Sequence, residues 1–148
     1  MKKGDIFNLV NSGILDITAN LLDAAHAYKV VKFKRAIKNA FNGIVEAEKD
    51  MLAEVKIADA DAFDKEMDAL KKSGEDPEKL SDMEARLKRL NEMRANVLKE
   101  EADLGEIKTM PYDQFHILQR ENAGLQRRPL NAFEELLEGY LWTAPESE

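Results

Sequence analysis

A chain of 148 residues fits one domain, and 44% hydrophobic with 34% charged residues suits a folded helical protein rather than a disordered one. Its net charge of -7 argues against whole-surface binding to nucleic acid. It has no cysteine, which excludes disulfides, thiolate metal sites and cysteine nucleophiles and fits a reducing cytoplasm. No apolar run approaches the roughly 18 residues of a membrane span. The opening Met1-Lys2-Lys3-Gly4-Asp5 leads into no uninterrupted apolar stretch, so no secretory signal is expected.

In chain order, residues 6–10 (IFNLV) read as a short strand or a helical turn, followed by the turn cluster Asn11-Ser12-Gly13. Ser12 is a candidate N-cap for a short amphipathic helix over residues 13–25, carrying Ile14, Leu21 and Leu22. The next helix is predicted over residues 27–55. Val30, Phe33, Ile37, Phe41, Ile44, Ala47, Met51 and Val55 recur there at three- and four-residue steps and form a seam for antiparallel packing. Gly43, inside it, marks a bend or a close helix contact.

Asp59 or Asp61 caps a further helical piece bearing Phe63, Met67 and Leu70. Residues 73–77 (SGEDP) are the clearest breaker, and Pro77 opens a helix expected to run to about Leu104. Residues 104–110 read as extended and suited to pair with residues 6–10. A short helix is expected over residues 111–121 and a last one from Asn131 through Trp142, before a polar tail. The predicted fold is mainly α: a long antiparallel helical hairpin over residues 26–103 with shorter terminal helices and a possible two-stranded β-ribbon. Residues 1–25 and 104–148 supply the terminal segments of that single domain.

The order of these signals resembles a family of small uncharacterised proteins encoded by tailed bacteriophages, a domain of unknown function. The residues that carry the resemblance are Asn11-Ser12-Gly13, Ala27-Tyr28-Lys29-Val30, the charged hairpin, Ile107-Lys108-Thr109-Met110-Pro111, and Glu134-Glu135-Leu136-Leu137-Glu138. The resemblance implies a phage or prophage origin and a mostly helical fold, and it carries over no catalytic residue.

Charge is segregated along the hairpin. Residues 24–45 hold five cations (Lys29, Lys32, Lys34, Arg35 and Lys38) and no acid, whereas residues 46–84 hold 14 acids against six lysines. At about 100° per residue, Tyr28, Lys32, Arg35 and Lys38 share the sector opposite the apolar seam. An aromatic among cations there can stack on a ring while the cations neutralise carboxylate or phosphate; the bland alternative is a solvated face. Tyr140 and Trp142, with Leu136 and Leu137, either cap the core or form a partner or self-association patch.

Asp59, Asp61 and Asp64 only superficially resemble a calcium loop, since the sixth-position glycine and twelfth-position carboxylate are missing. His26 and His116 lie far apart in sequence. The adjacent pairs Glu100-Glu101 and Glu134-Glu135 diverge by about 100° on a helix, which disfavours a shared acid/base site. The expectation is a non-enzyme without cofactor or metal, with Tyr28, Lys32, Arg35, Lys38, Tyr140 and Trp142 as partner-binding candidates. Expected partners are a phage or host protein with an acidic surface, with a homo-oligomer as an option, no membrane, and nucleic acid disfavoured. Capture of anionic nucleotides by an oligomer is the first alternative and accessory nucleic-acid binding the second. The expected setting is the cytoplasm of a bacterial host, with virion association open.

Overall fold

The turn cluster Asn11-Ser12-Gly13 ends a helix rather than starting one. In the computed structural model, which describes residues 1–145, residues 6–10 belong to helix α1 (Lys3–Asn11). Ser12 is its C-cap, its hydroxyl donating to the Asn8 carbonyl at 2.8 Å. Gly13 then turns the chain at φ 90°, a conformation that costs glycine nothing. The helix expected over residues 13–25 shrinks to a single 3-10 turn (Ile14–Asp16). The cause lies in a distant helix. The Thr18 amide donates to Asn122 Oδ1 at 2.8 Å, and the amides of Asn20 and Leu21 donate to the Glu121 carboxylate at 2.9 and 2.6 Å. Backbone groups satisfied from outside have no need of an intrahelical partner.

Helix α2 (Ala24–Glu54) starts where the Asp23 carboxylate accepts from the His26 amide at 2.9 Å, a helix-capping bond. Lys56, at φ 58°, breaks the chain before α3 (Ala60–Ser73), whose N-cap Asp59 accepts from the Ala62 amide at 3.0 Å. Gly74 ends α3 at φ 66°, and Asp76 caps α4 (Pro77–Lys99) by accepting from the Lys79 amide at 3.0 Å. α4 stops five residues short of Leu104. The Ala102 amide donates to the Met1 carbonyl at 2.9 Å, and Lys2 and Glu101 form an antiparallel bridge, so these residues pair as extended chain instead.

Strand β1 (Met110–Pro111) does not pair with residues 6–10. It pairs in parallel with β2 (Trp142–Thr143), Met110 opposite Trp142 and Pro111 opposite Thr143. α5 (Tyr112–Glu121) follows β1 directly. The expected last helix divides into α6 (Pro129–Ala132) and α7 (Glu134–Leu137); Glu138 is extended and Gly139, at φ 84°, turns the chain into β2. The polar tail expected after Thr143 lies outside the described residues from position 146 onward.

The chain divides into two compact units, Met1–Asn42 with Glu101–Glu148 and Gly43–Glu100, so one boundary falls inside α2. In the first, Ile6, Leu9, Ile14, Ile17, Phe33, Ile37, Phe115, Leu118, Leu137 and Leu141 are all fully enclosed. The second is the helical hairpin. Val55, Ile57 and Leu90 form its buried cluster, with Met51, Leu52, Phe63, Leu87 and Met93 packed against them. Glu48 meets Arg94 and Glu66 meets Lys79, so partners retreat along α4 as the first arm advances, which makes the arms antiparallel.

The register corrects the simple hairpin expectation. Leu87, Leu90 and Met93 pack with Met51, Leu52, Val55, Ile57 and Phe63, at the end of α2 and beyond it. Phe41 is half-buried and stacks obliquely on Phe7, centroids 6.4 Å apart. Among the described residues, no helix is long and apolar enough to cross a membrane.

Candidate functional site: the basic sector of the long helix

The five cations of residues 24–45, all on α2, divide into two groups, and helix geometry says which is which. At about 100° per residue, Lys29 and Lys34 sit on the two borders of the apolar seam, while Lys32, Arg35 and Lys38 sit away from it. The border lysines are tied down within the first unit. The Lys29 ammonium donates to the Thr109 carbonyl at 2.9 Å and the Lys34 ammonium to the Ile17 carbonyl at 2.8 Å. Their ammonium heads satisfy carbonyls of residues outside any helix or strand.

Lys32, Arg35 and Lys38 are exposed, and among the described residues none of them forms an ion pair. Tyr28 is 58% exposed, and the Lys32 ammonium lies over its ring at 5.0 Å from the centroid. That contact pre-organises an aromatic face and a cation side by side. Val31, 49% exposed on the same side, is a residue the sequence reading passed over; its place near Tyr28 on the helical wheel was the available signal. The sector therefore offers cations, a ring and an aliphatic side chain on one rigid helix. It can neutralise carboxylates and contact apolar atoms beside them. It holds no paired acid and base for proton transfer.

The C-terminal candidates stand elsewhere in the first unit and do not join this sector. Trp142 is a core residue, the first of the two readings offered for it. Its ring stacks on Phe115 at 5.7 Å, meets Tyr112 edge-on at 4.9 Å, and its indole N–H donates to the Glu134 carbonyl at 2.8 Å. Pairing of β2 with β1 is what folds Trp142 back onto α5, which removes it from any exposed patch. Tyr140 is half-buried, its hydroxyl engaged by the Met1 amino group. The exposed aromatic of this region is Tyr112, whose hydroxyl donates to Glu134 Oε1 at 2.8 Å; that bond holds its own ionisation above the ordinary phenol value. The same carboxylate oxygen accepts from the buried Gln119 amide at 3.0 Å.

The histidines do not meet. His26 Nδ1 contacts the Asp23 carboxylate at 2.8 Å, and His116 Nδ1 lies 3.4 Å from Gln119 Oε1. A bond from the His26 backbone amide, and then from its ring, holds Asp23 below the usual carboxylate range. Asp59, of the aspartate cluster, is the α3 cap. A cavity of about 690 Å³ is lined by Lys29, Thr109, Tyr112 and Thr143, but the Lys29 ammonium beside it is already committed to a carbonyl. No family model, curated protein or solved structure matches the chain.

Proposed function

We propose that this is a non-enzymatic protein that works by protein–protein contact, docking an acidic surface on the Tyr28, Lys32, Arg35 and Lys38 sector of α2. On the resemblance carried by its motifs, it is a tailed-phage protein acting as an assembly adaptor or an inhibitor of a host protein, in the host cytoplasm or on the virion. The observation that supports this reading is the division of labour among five neighbouring cations. Two are consumed by internal carbonyls, and three beside an exposed tyrosine have no carboxylate partner among the described residues. Exposed charges contribute little to folding but much to encounter rate and specificity. No side chain is assigned a catalytic role.

The test is the triple variant Lys32→Glu, Arg35→Glu, Lys38→Glu, followed by thermal melting and by capture of partners at two salt concentrations. The expected result is an unchanged fold and loss of the partners that the native chain retains at low salt. Undiminished capture of the same partners would reduce the sector to solvated surface. Retention of nucleotides or nucleic acid in place of protein would move the conclusion to an anion-binding role.

A further inference from the structure

The exposed face of α2 inside the first unit, Met1–Asn42 with Glu101–Glu148, has a finer order than a cluster of cations. Side chains three apart on a helix line up in ridges that slope across its surface. Two neighbouring ridges cross this face. One is Ala25, Tyr28 and Val31; the next is Lys32, Arg35 and Lys38, and all six residues are exposed. At about 100° per residue both ridges lie within about 80° of Tyr28, away from the apolar seam. The first ridge is uncharged with an aromatic at its centre, and the second is wholly cationic. The Lys32 ammonium over the Tyr28 ring, at 5.0 Å, ties the two together.

The uncharged ridge is more than a scatter of surface hydrophobics. Leu21, Tyr28 and Val31, at 66%, 58% and 49%, are the three most exposed large apolar side chains among the described residues. Exposed apolar residues that gather beside charges mark a contact surface. Leu21 is held at the head of α2 by its amide, which donates to the Glu121 carboxylate at 2.6 Å. Three residues from Ala24, it lies within about 11 Å of the helix start. The acid at that end, Asp23, is engaged by the His26 ring at 2.8 Å.

The spacing of the cations selects the form of what they meet. They stand about 4.5 Å apart along the axis and about 9 Å from first to last. Carboxylates on one face of a second helix, at steps of three or four residues, repeat every 4.5 to 6 Å or so and stay in step with them. Same-face carboxylates of an extended chain repeat about every 6.6 Å and have drifted by about 4 Å at the third. The groove between two such ridges receives a ridge of another helix. A helix seated there turns one flank to Tyr28 and Val31 and the other to the cations, so it must be apolar on one and acidic on the other. A broad anionic surface fits less well, because a membrane or a nucleic-acid duplex would also face the rest of a chain with net charge -7.

We propose that the partner segment is an acidic amphipathic α-helix seated between the Tyr28 ridge and the ridge of Lys32, Arg35 and Lys38. The proposal rests on reading the Tyr28 sector as a docking surface. It adds the form of the partner: an apolar row flanked by carboxylates at three- and four-residue steps. The contact covers about four turns of α2, which places it among small, transient interfaces.

Fluorescence anisotropy at two salt concentrations tests this with a labelled synthetic helix that bears a leucine row flanked by glutamates. The comparison probes are the same peptide broken by a central proline, poly-glutamate, and phosphatidylserine vesicles tested by co-sedimentation. The native chain should bind the intact helix at least about tenfold more tightly than the broken peptide or poly-glutamate, and should not sediment with vesicles. Tyr28→Ser/Val31→Ser and Lys32→Gln/Arg35→Gln should each weaken binding at least about tenfold, and only the second should flatten its salt dependence. The single variants Tyr28→Ser and Arg35→Gln carry the same test where a pair fails to fold. Equal binding of the broken peptide, or unchanged binding by Tyr28→Ser/Val31→Ser, overturns the helical partner and leaves a sector that takes any acidic chain. No binding of the intact helix also overturns it. Loss of native partners on Lys32→Glu/Arg35→Glu/Lys38→Glu would then leave the docking sector standing, whereas undiminished capture would remove both. Binding to vesicles in place of the peptide overturns the proposal in favour of an anionic membrane surface.

Discussion

The two units of this chain are held together in different ways. In the first, residues from opposite ends of the sequence enclose one another completely. Phe33 and Ile37 of α2 are as buried as Phe115 and Leu118 of α5, and Thr18 exchanges hydrogen bonds with Asn122, 104 positions away. In the hairpin the cluster is smaller, neighbours are closer in sequence, and charged pairs line the arms. Arg94 bridges to Glu48 through Nε at 2.9 and 3.0 Å, a contact that holds the guanidinium charge still more firmly than usual. Local contacts of this kind form early and open easily, whereas the terminal unit needs both chain ends in place before any of its core is made. A surface meant to stay rigid is therefore best carried where α2 is anchored by the terminal unit, which is where Lys29 and Lys34 hold it.

Five perturbations break or sharpen this contrast. The largest effect belongs to Phe33→Ala, a fully enclosed ring whose removal should cost about 3–5 kcal/mol in denaturant unfolding. Leu87→Ala, half-buried in the hairpin, should cost only about 1–2 kcal/mol. Equal losses would mean that the hairpin core matters as much as the terminal one. Native-state hydrogen exchange on the same pair should show hairpin amides opening at lower free energy than those of α5.

Asn122→Ala comes next. The Asn122 side chain donates to the carbonyls of Thr18 and Leu118 and accepts from the Thr18 amide, so truncation strands backbone groups in a half-buried loop. The expected cost is about 1–3 kcal/mol, with residues 17–21 becoming the most readily cleaved by protease. Unchanged protection there would show that the loop holds its shape without α5.

A smaller effect should appear in acid. Burial pushes the Glu121 carboxyl upward, but the bonds from Thr18, Asn20 and Leu21 together outweigh it, so the group is held below its ordinary value of 4.5. A carboxyl depressed in the folded state contributes stability that is complete above its unfolded value. That contribution is lost as pH falls through the folded one. Glu121→Gln should therefore lower stability at neutral pH and flatten the acid limb of a stability–pH profile below 4.5. A parallel profile for variant and native chain would show that this carboxyl does not set acid sensitivity. The smallest effect is expected at the hairpin turn. Inserting a few Gly/Ser residues after Gly74, an exposed helix end, should cost under about 1 kcal/mol, since each doubling of loop length costs only about 0.6 kcal/mol. A large drop in melting temperature would show that the turn itself organises the arms.

What was legible in the sequence was what neighbours decide. Asp59 and Asp76 cap helices because a side-chain oxygen three residues before a free amide reaches it wherever the rest of the chain lies. Gly74 stops α3 for an equally local reason, and the seam of α2 follows from helical period alone. The Tyr28 sector could be drawn on the same basis, and its residues are exposed as the wheel requires. Residues 13–25, 100–104 and 131–143 were not legible as they stand. In each, backbone groups that would have closed helical turns are claimed by partners the sequence does not place: Glu121 and Asn122 for the first, Met1 and Lys2 for the second, β1 for the third. Tertiary structure likewise settled which cations remain free, because only it brings the carbonyls of Thr109 and Ile17 to Lys29 and Lys34. A hydrogen bond from a residue some hundred positions away is as strong as one from the next turn, and it leaves no periodicity behind.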